Sequence, residues 1–412
     1  MPMTRSRILI LILLLLALSA CSQAFKSPTP TIQPPTATQQ PTATLTPIPP
    51  TATPVPSPTV IPSPTPTPVT MDVTLWTSDP RLAILTYHRF YPNRYTDLPL
   101  TKVRLEDFAN QLQSLYDQGF TLISLADWLR GDLSVPEGRR PLVITIDDLF
   151  NADQIFLDAN GKPSPKSGLG LMWQFYQQHP DFGFSAAIFY NFGDKYYSNM
   201  EAGDWFIVGE GWEDSLAKAI VWCIEHDAMP YNHFFQHPRL DMTNAKELVW
   251  AAEENERWLK NYLEKAGRPE LFEQVDNIIA LPFGLWPSDE AAKKALISYT
   301  ALNGQALLGI LEVDTYYGAK FLPPPYAADF DRNRVPRIVG SNGAVAFLAD
   351  TLKDDPRAQK CTLGPVDISR QNDPQHLQEL VAAAPCPDGV YVLPGHLFRR
   401  AGGQVTDLTP KP

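Results

Sequence analysis

Residues 141–146 read Pro-Leu-Val-Ile-Thr-Ile and run straight into Asp147 and Asp148. An unbroken apolar, β-branched run of this length predicts a strand covered on both faces, as in a parallel sheet. It is not alone. Residues 82–89 (LAILTYHR), 184–190, 277–281 and 306–312 read the same way. Between them lie helical stretches at 105–118, 168–179, 212–226, 244–266, 289–298 and 342–352, the first carrying Phe108, Leu112 and Leu115 at i, i+4 and i+7. Phe120–Leu125 adds a further short strand, after which Ser124 can cap a brief helix through Trp128. Strands alternating with helices imply a parallel sheet. Six or seven such units in one stretch imply a closed or nearly closed α/β barrel rather than an open sheet.

That argument covers residues 71–352, the expected catalytic unit. Residues 353–412 break the alternation, with a helical patch at 374–384 and a strand-like VYVL at 390–393, and are expected to form a small C-terminal extension. Ahead of the barrel, residues 28–68 hold fifteen of the 41 prolines. Proline fixes φ and removes a donor, so residues 26–70 are expected to be a disordered, polyproline-like tether. At about 3.1 Å per residue it would reach roughly 140 Å.

The first twenty residues look like an address. Arg5 and Arg7 precede the apolar run Ile8–Leu18, which is too short for an ordinary membrane span and fits a signal peptide over 1–20. Leu18-Ser19-Ala20-Cys21 resembles the bacterial lipobox, which implies cleavage before Cys21 and lipid attachment to it. The expected location is extracytoplasmic, lipid-anchored to a bacterial cell membrane. Outside the cytoplasm Cys361 and Cys386 are expected to pair, while Cys223, in AIVWCIEH, reads as a buried small hydrophobe.

Net charge is −11, and no acid occurs before residue 71, so the rest of the chain is more acidic still. Nucleic acid is excluded as a partner on that charge. Oligomeric state has no signature in the sequence.

Two local patterns carry chemistry. Asp147-Asp148 ends a buried strand, where one carboxylate can face a cation and the other a substrate, and barrel sites are built at such ends. His233 and His237 stand four apart, a spacing that places two imidazoles on one cation from a helical turn or a tight loop; Pro238 favours the loop. Solvated acids and surface histidines are the bland reading of each pattern alone.

Taken in order, LAILTYHRF, FANQLQSLYDQGFTLISLADWL, PLVITIDD, FSAAIFY, NHFFQHPRL and IALPFG resemble the polysaccharide deacetylase family, the NodB-homology carbohydrate esterases, over about residues 82–350. The family's Thr-Phe-Asp-Asp-Gly is matched by Thr145-Ile146-Asp147-Asp148-Leu149, and its His-Ser/Thr-x-x-His-Pro by His233–Pro238. The run Asn333-Arg334-Val335-Pro336-Arg337-Ile338 is similar to the end of the branch acting on poly-N-acetylglucosamine.

The resemblance implies a distorted (β/α)7-type barrel. It implies one divalent cation, usually Zn2+, on Asp148, His233 and His237, with Asp147 as general base and a backbone N–H of Pro282-Phe283-Gly284 at the oxyanion, so that Pro282 and Phe283 are the substrate-binding candidates. The implied reaction is removal of N-acetyl groups from a hexosamine-containing polysaccharide, poly-N-acetylglucosamine-like or a cell-wall glycan. Three departures stand out. Ala280 occupies the place of the arginine that orients the base, Leu149 replaces a glycine, and the late histidine of the family has only an imperfect match in His396. His88, at the end of LAILTYH, is the better candidate for a proton donor. These departures keep a catalytically silent carbohydrate-binding lipoprotein as the alternative, and an amidohydrolase acting on peptidoglycan as a weaker one. Aromatic residues after Asp148, among them Trp173, Tyr176, Tyr190, Tyr196 and Trp212, are either sugar-stacking surface or packing, and residues 196–212 are the expected loop over the cleft.

Overall fold

A computed structural model describes residues 69–94, 99, 101–148, 153–193, 212–313 and 321–410. The signal peptide, Cys21, Leu149, Tyr196, Tyr197 and Trp205 lie outside the described residues. In chain order come β1 (Val69–Trp76), β2 (Ala83–Tyr87), the short parallel pair β3 (Arg89–Tyr91) and β4 (Lys102–Arg104), α1 (Leu105–Asp117), β5 (Phe120–Leu122), α2 (Leu125–Leu129) and β6 (Arg140–Asp147). Then follow α3 (Gly168–Gln178), β7 (Ala186–Tyr190), α4 (Trp212–Glu225), β8 (Ala228–Asn232), α5 (Ala245–Lys265), β9 (Ile278–Ala280), α6 (Glu290–Ile297), β10 (Gly309–Leu311), β11 (Ile338–Val339) and α7 (Asn342–Thr351). The chain ends with β12 (Gln359–Val366), α8 (Pro374–Ala383), β13 (Gly389–Leu393), β14 (His396–Ala401) and β15 (Gln404–Asp407).

The strands β10-β9-β8-β7-β6-β2-β11 form one parallel sheet in that order, with β5 added beside the start of β6. Every residue of β2, β6 and β7 is buried, as strands covered by helices on one side and barrel interior on the other must be. Residues 332–340 close the ring. Ile310 N–H donates to the Arg332 carbonyl at 2.9 Å, Val335 N–H to Ile310 at 3.0 Å and Glu312 N–H to Val335 at 2.8 Å. A few residues later Ile338 pairs with Leu85, and Gly340 N–H donates to Thr86 at 2.8 Å. The result is the expected distorted (β/α)7 barrel.

Helix ends follow local chemistry. Ser124 accepts from Asp127 N–H and starts α2. Asn244 and Glu247 form a capping box at α5. Phe108, Leu112 and Leu115 of α1 all face the core, and Cys223 is buried in α4. No described helix is long and apolar enough to cross a membrane.

A second, antiparallel sheet has the order β12-β1-β13-β14-β15. Its two faces serve different cores. Trp76, Val390, Val392 and Leu397 join the barrel core. Val73, Leu75, Tyr391, Leu393 and Phe398 pack with Leu377, Leu380 and Val381 of α8 in a core of their own. The period-2 alternation of a strand produces this sorting. Cys361 and Cys386 form a disulfide, as expected. One correction concerns the start of the folded chain. Residues 69 and 70 were expected in the tether, yet they open β1, and β1 lies between β12 and β13. Residues 353–412 thus do not make their sheet alone; they take a strand from the N-terminal side of the barrel.

Candidate active site

Asp147 is the last residue of β6, and Asp148 turns out of the strand with φ 72°. Asp147 is 1 % exposed, and beside it Arg337 is fully buried. The guanidinium meets the carboxylate as a fork, Nη1 to Oδ1 at 2.5 Å and Nη2 to Oδ2 at 2.7 Å. Nη1 also donates to Thr145 Oγ1 at 3.1 Å, and Nε donates to the Glu312 carbonyl at 2.9 Å. Burial alone would raise the Asp147 pKa. Arg337, with lesser help from His233 and His88, overrides it and holds the carboxyl at about 2. Asp147 is therefore ionised at any working pH. Asp147 thus has a buried arginine partner, supplied not from position 280 but from the segment that closes the barrel.

His233 follows β8 directly. The residues from His233 to His237 form a tight loop rather than a helical turn, because Phe234, Gln236 and His237 all have positive φ, at 61°, 62° and 49°. His233 Nδ1 donates to the Ala280 carbonyl at 2.8 Å, which leaves the Nε2 lone pair facing inward. Burial lowers the His233 pKa to about 4, so the ring is neutral near pH 7. His233 Nε2 lies 3.8 Å and His237 Nε2 3.6 Å from Asp148 Oδ1. One ligand atom from each of the three lies within 4.8 Å of the others. One carboxylate and two imidazoles, one of them fixed in tautomer by a backbone carbonyl, fit a divalent cation such as zinc.

His88 is placed beside Asp147 by register. Tyr87 pairs with Ile146, so the next residue of each strand, His88 and Asp147, stand together. Gln154 ties the two strand ends, its amide donating to the His88 and Asp147 carbonyls at 2.8 Å each. His88 Nδ1 is buried and has no hydrogen-bond partner. Pro282 is buried at the foot of a turn after β9, whereas Phe283 is 61 % exposed, with φ 56°. Its ring centroid lies 4.4 Å from that of His237. Next to it Trp286 hydrogen-bonds to the Glu312 carboxylate, and Arg334 lies over its indole at 4.8 Å.

The other sequence candidates lie elsewhere. His396 begins β14 in the antiparallel sheet, its ring stacked on Phe398. Trp173 packs among Tyr176, Phe184 and Trp222, and Tyr190 is sealed in the core, so neither is a sugar platform at this site. The sequence reading assigned no role to Arg337 or to Asn191, whose buried amide points at Asp148.

No family model matches the chain, and no curated protein does. Solved structures similar to it include a Streptococcus pyogenes deacetylase, PplD, in complex with acetate, at 15 % identity over 66 % of this chain and 98 % of that one, TM-score 0.40. A polysaccharide deacetylase from Bacillus cereus is similar at 16 % identity over 66 % and 69 %, TM-score 0.39. IcaB from Ammonifex degensii is similar at 14 % over 67 % and 99 %, TM-score 0.37.

Proposed function

We propose that this chain is a metal-dependent hydrolase that removes N-acetyl groups from a hexosamine-containing polysaccharide. The observation that carries the reading is the meeting, at the C-terminal ends of β6 and β8, of the Asp148, His233 and His237 ligand atoms with an Asp147 kept ionised by Arg337. Asp148, His233 and His237 would hold the cation, most simply Zn2+. When bound, such a cation lowers the pKa of water and polarises an amide carbonyl.

The remaining work belongs to the chain. Asp147 receives the proton of the attacking water. Held below the usual carboxylate range by Arg337, it is a weak base and hands the proton on. His88, beside it with an unpartnered Nδ1, is the group to deliver a proton to the leaving sugar amine. In the turn after β9, Pro282 has no N–H, and Gly284 and Leu285 donate to the Leu281 and Pro282 carbonyls. The Phe283 N–H is the amide of that turn for the developing oxyanion. The exposed Phe283 ring offers a face on which a pyranose can stack. The motif order that resembles polysaccharide deacetylases supplies the substrate class, and the polymer stays at the level of poly-N-acetylglucosamine-like or cell-wall glycan.

The silent-binding alternative drew on the arginine absent at position 280. Arg337 supplies that partner by another route, which favours the enzyme. The proposal keeps the lipid anchor at Cys21 and an extracytoplasmic location; the Cys361–Cys386 disulfide suits an oxidising compartment.

Acetate release from N-acetylglucosamine oligomers, with and without a chelator, tests the reading. Release that stops on chelation is expected, alongside one divalent cation per chain. Asp147→Asn should lower release by about 10²- to 10⁴-fold while the cation stays bound; undiminished release by that variant overturns the mechanism.

A further inference from the structure

Asn191 is the first residue after β7. Tyr190 pairs with Asn232, so Asn191 and His233 are the next positions on neighbouring strands. The Asn191 side chain is 1 % exposed. Its Nδ2 lies 3.5 Å from Asp148 Oδ1, the same oxygen that His233 and His237 face at 3.8 and 3.6 Å. Its Oδ1 is buried and has no hydrogen-bond partner.

The position is held from both sides. Asn255, fully buried on α5, accepts from Phe192 N–H at 2.8 Å and donates to the Tyr190 carbonyl at 2.6 Å, so its amide brackets residue 191. The same Nδ2 donates at 2.9 Å to Asn232 Oδ1, which accepts from Phe234 N–H at 2.9 Å and so brackets His233. Asn232 Nδ2 is tied in turn to the Ala252 carbonyl and Glu256. One buried network therefore fixes the backbone at Asn191 and at the first imidazole together.

From this geometry we infer that Asn191 is a fourth protein ligand of the cation, bound through Oδ1; the inference rests on the metal reading above. A half-turn of the amide exchanges two atoms of nearly equal size. Oδ1 then stands 3.5 Å from Asp148 Oδ1, in the same spacing as the two imidazole nitrogens. An amide oxygen has lone pairs to give a cation, whereas an amide N–H has none. The rotation gives up the 3.5 Å contact of Nδ2 with Asp148 and turns the carbonyl, otherwise buried without a partner, toward the ligand atoms. Two oxygens with two nitrogens make a harder donor set than one with two, suited to cations that take more than four ligands, and solvent positions remain for the reaction.

The test is a Co2+ titration of the metal-stripped chain, read by its visible absorption, with thermal unfolding of each metal-free variant measured alongside. Asn191→Leu keeps the shape and removes the donor. It should bind Co2+ at least about tenfold more weakly, with a visible band altered by the lost ligand. Asn191→Asp supplies a charged oxygen and should bind more tightly than the leucine variant. Wild-type affinity and an unchanged band in Asn191→Leu overturn the inference. Should that variant fail to fold, Asn191→Asp decides: an affinity and spectrum identical to wild type overturn it, and a shift in both supports it. His237→Ala separates the two layers of argument. It should lose Co2+ whatever Asn191 does, and if it binds like wild type, the metal reading itself falls.

Discussion

An aspartate sealed inside a barrel resists ionisation; Asp147 is ionised because Arg337 is sealed in with it. The folded carboxyl, at about 2, lies below its unfolded value of 3.8. The pair thus stabilises the fold fully above about pH 4 and loses that contribution as pH falls toward 2. Arg337→Met strands a buried carboxylate. It should cost about 3–5 kcal/mol in denaturant unfolding. The Asp147 pKa should swing upward, and the acid limb of the rate–pH profile should move to higher pH with it. A profile that stays in place would remove Arg337 from any role in setting the charge of Asp147. This pair also marks how far the site could be read in advance. Asp147, Asp148, His233 and His237 announce themselves because each pair lies within a few residues at the end of one strand. Arg337 stands 190 residues from its partner in a proline-flanked run, and only the closure of the barrel brings them together. Asn191 carries no pattern at all: a single asparagine after an apolar strand is ordinary until its neighbours are in view.

Elements with a strong period were legible. The continuous apolar runs became β2, β6 and β7, and the i, i+4, i+7 stripe became α1, each within a few residues. β8 was missed because Ala228-Met229-Pro230-Tyr231-Asn232 is short and centred on proline, which normally argues against an interior strand. It is a barrel strand all the same, with Pro230 opposite Ile188 in register. β12 was missed for a different reason: five of its eight residues are exposed, and it contains Gly364-Pro365. β11 has only two residues, yet it closes the seam. That seam depends on the glycine after it. A Cβ on Gly340 would lie 2.3 Å from the Tyr87 ring, and the ring is held by its hydroxyl, which donates to Gln111 at 2.7 Å. Gly340→Ala should cost roughly 1–3 kcal/mol, seen as a lower melting temperature and faster amide exchange at residues 338–340. An unchanged melting temperature would mean that the ring yields and the seam is not under such constraint.

At the scale of the molecule, the barrel was legible from alternation alone, while the second sheet was not. Its strands come from both ends of the described chain, and no local signal pairs Val69–Trp76 with Gln359–Val366. The disulfide belongs to this sheet. It closes a loop of 25 residues, and by the chain-entropy argument it contributes roughly 3–4 kcal/mol. Replacing Cys361 and Cys386 with serine should lower the unfolding midpoint accordingly, and reductant should do the same to the native chain; no shift in either would place that loop's stability in the α8 core alone. The placing of β1 has a mechanical consequence. A pull applied at Val69 and directed along β1 is borne by both edges of the strand. Antiparallel bonds run to β12 on one edge and to β13 on the other, so many are loaded at once in shear instead of parting one after another. Val73 lies opposite Cys361, and Cys361 is bonded covalently to Cys386 just ahead of β13. The start of the folded chain is built as a clamp that bears tension.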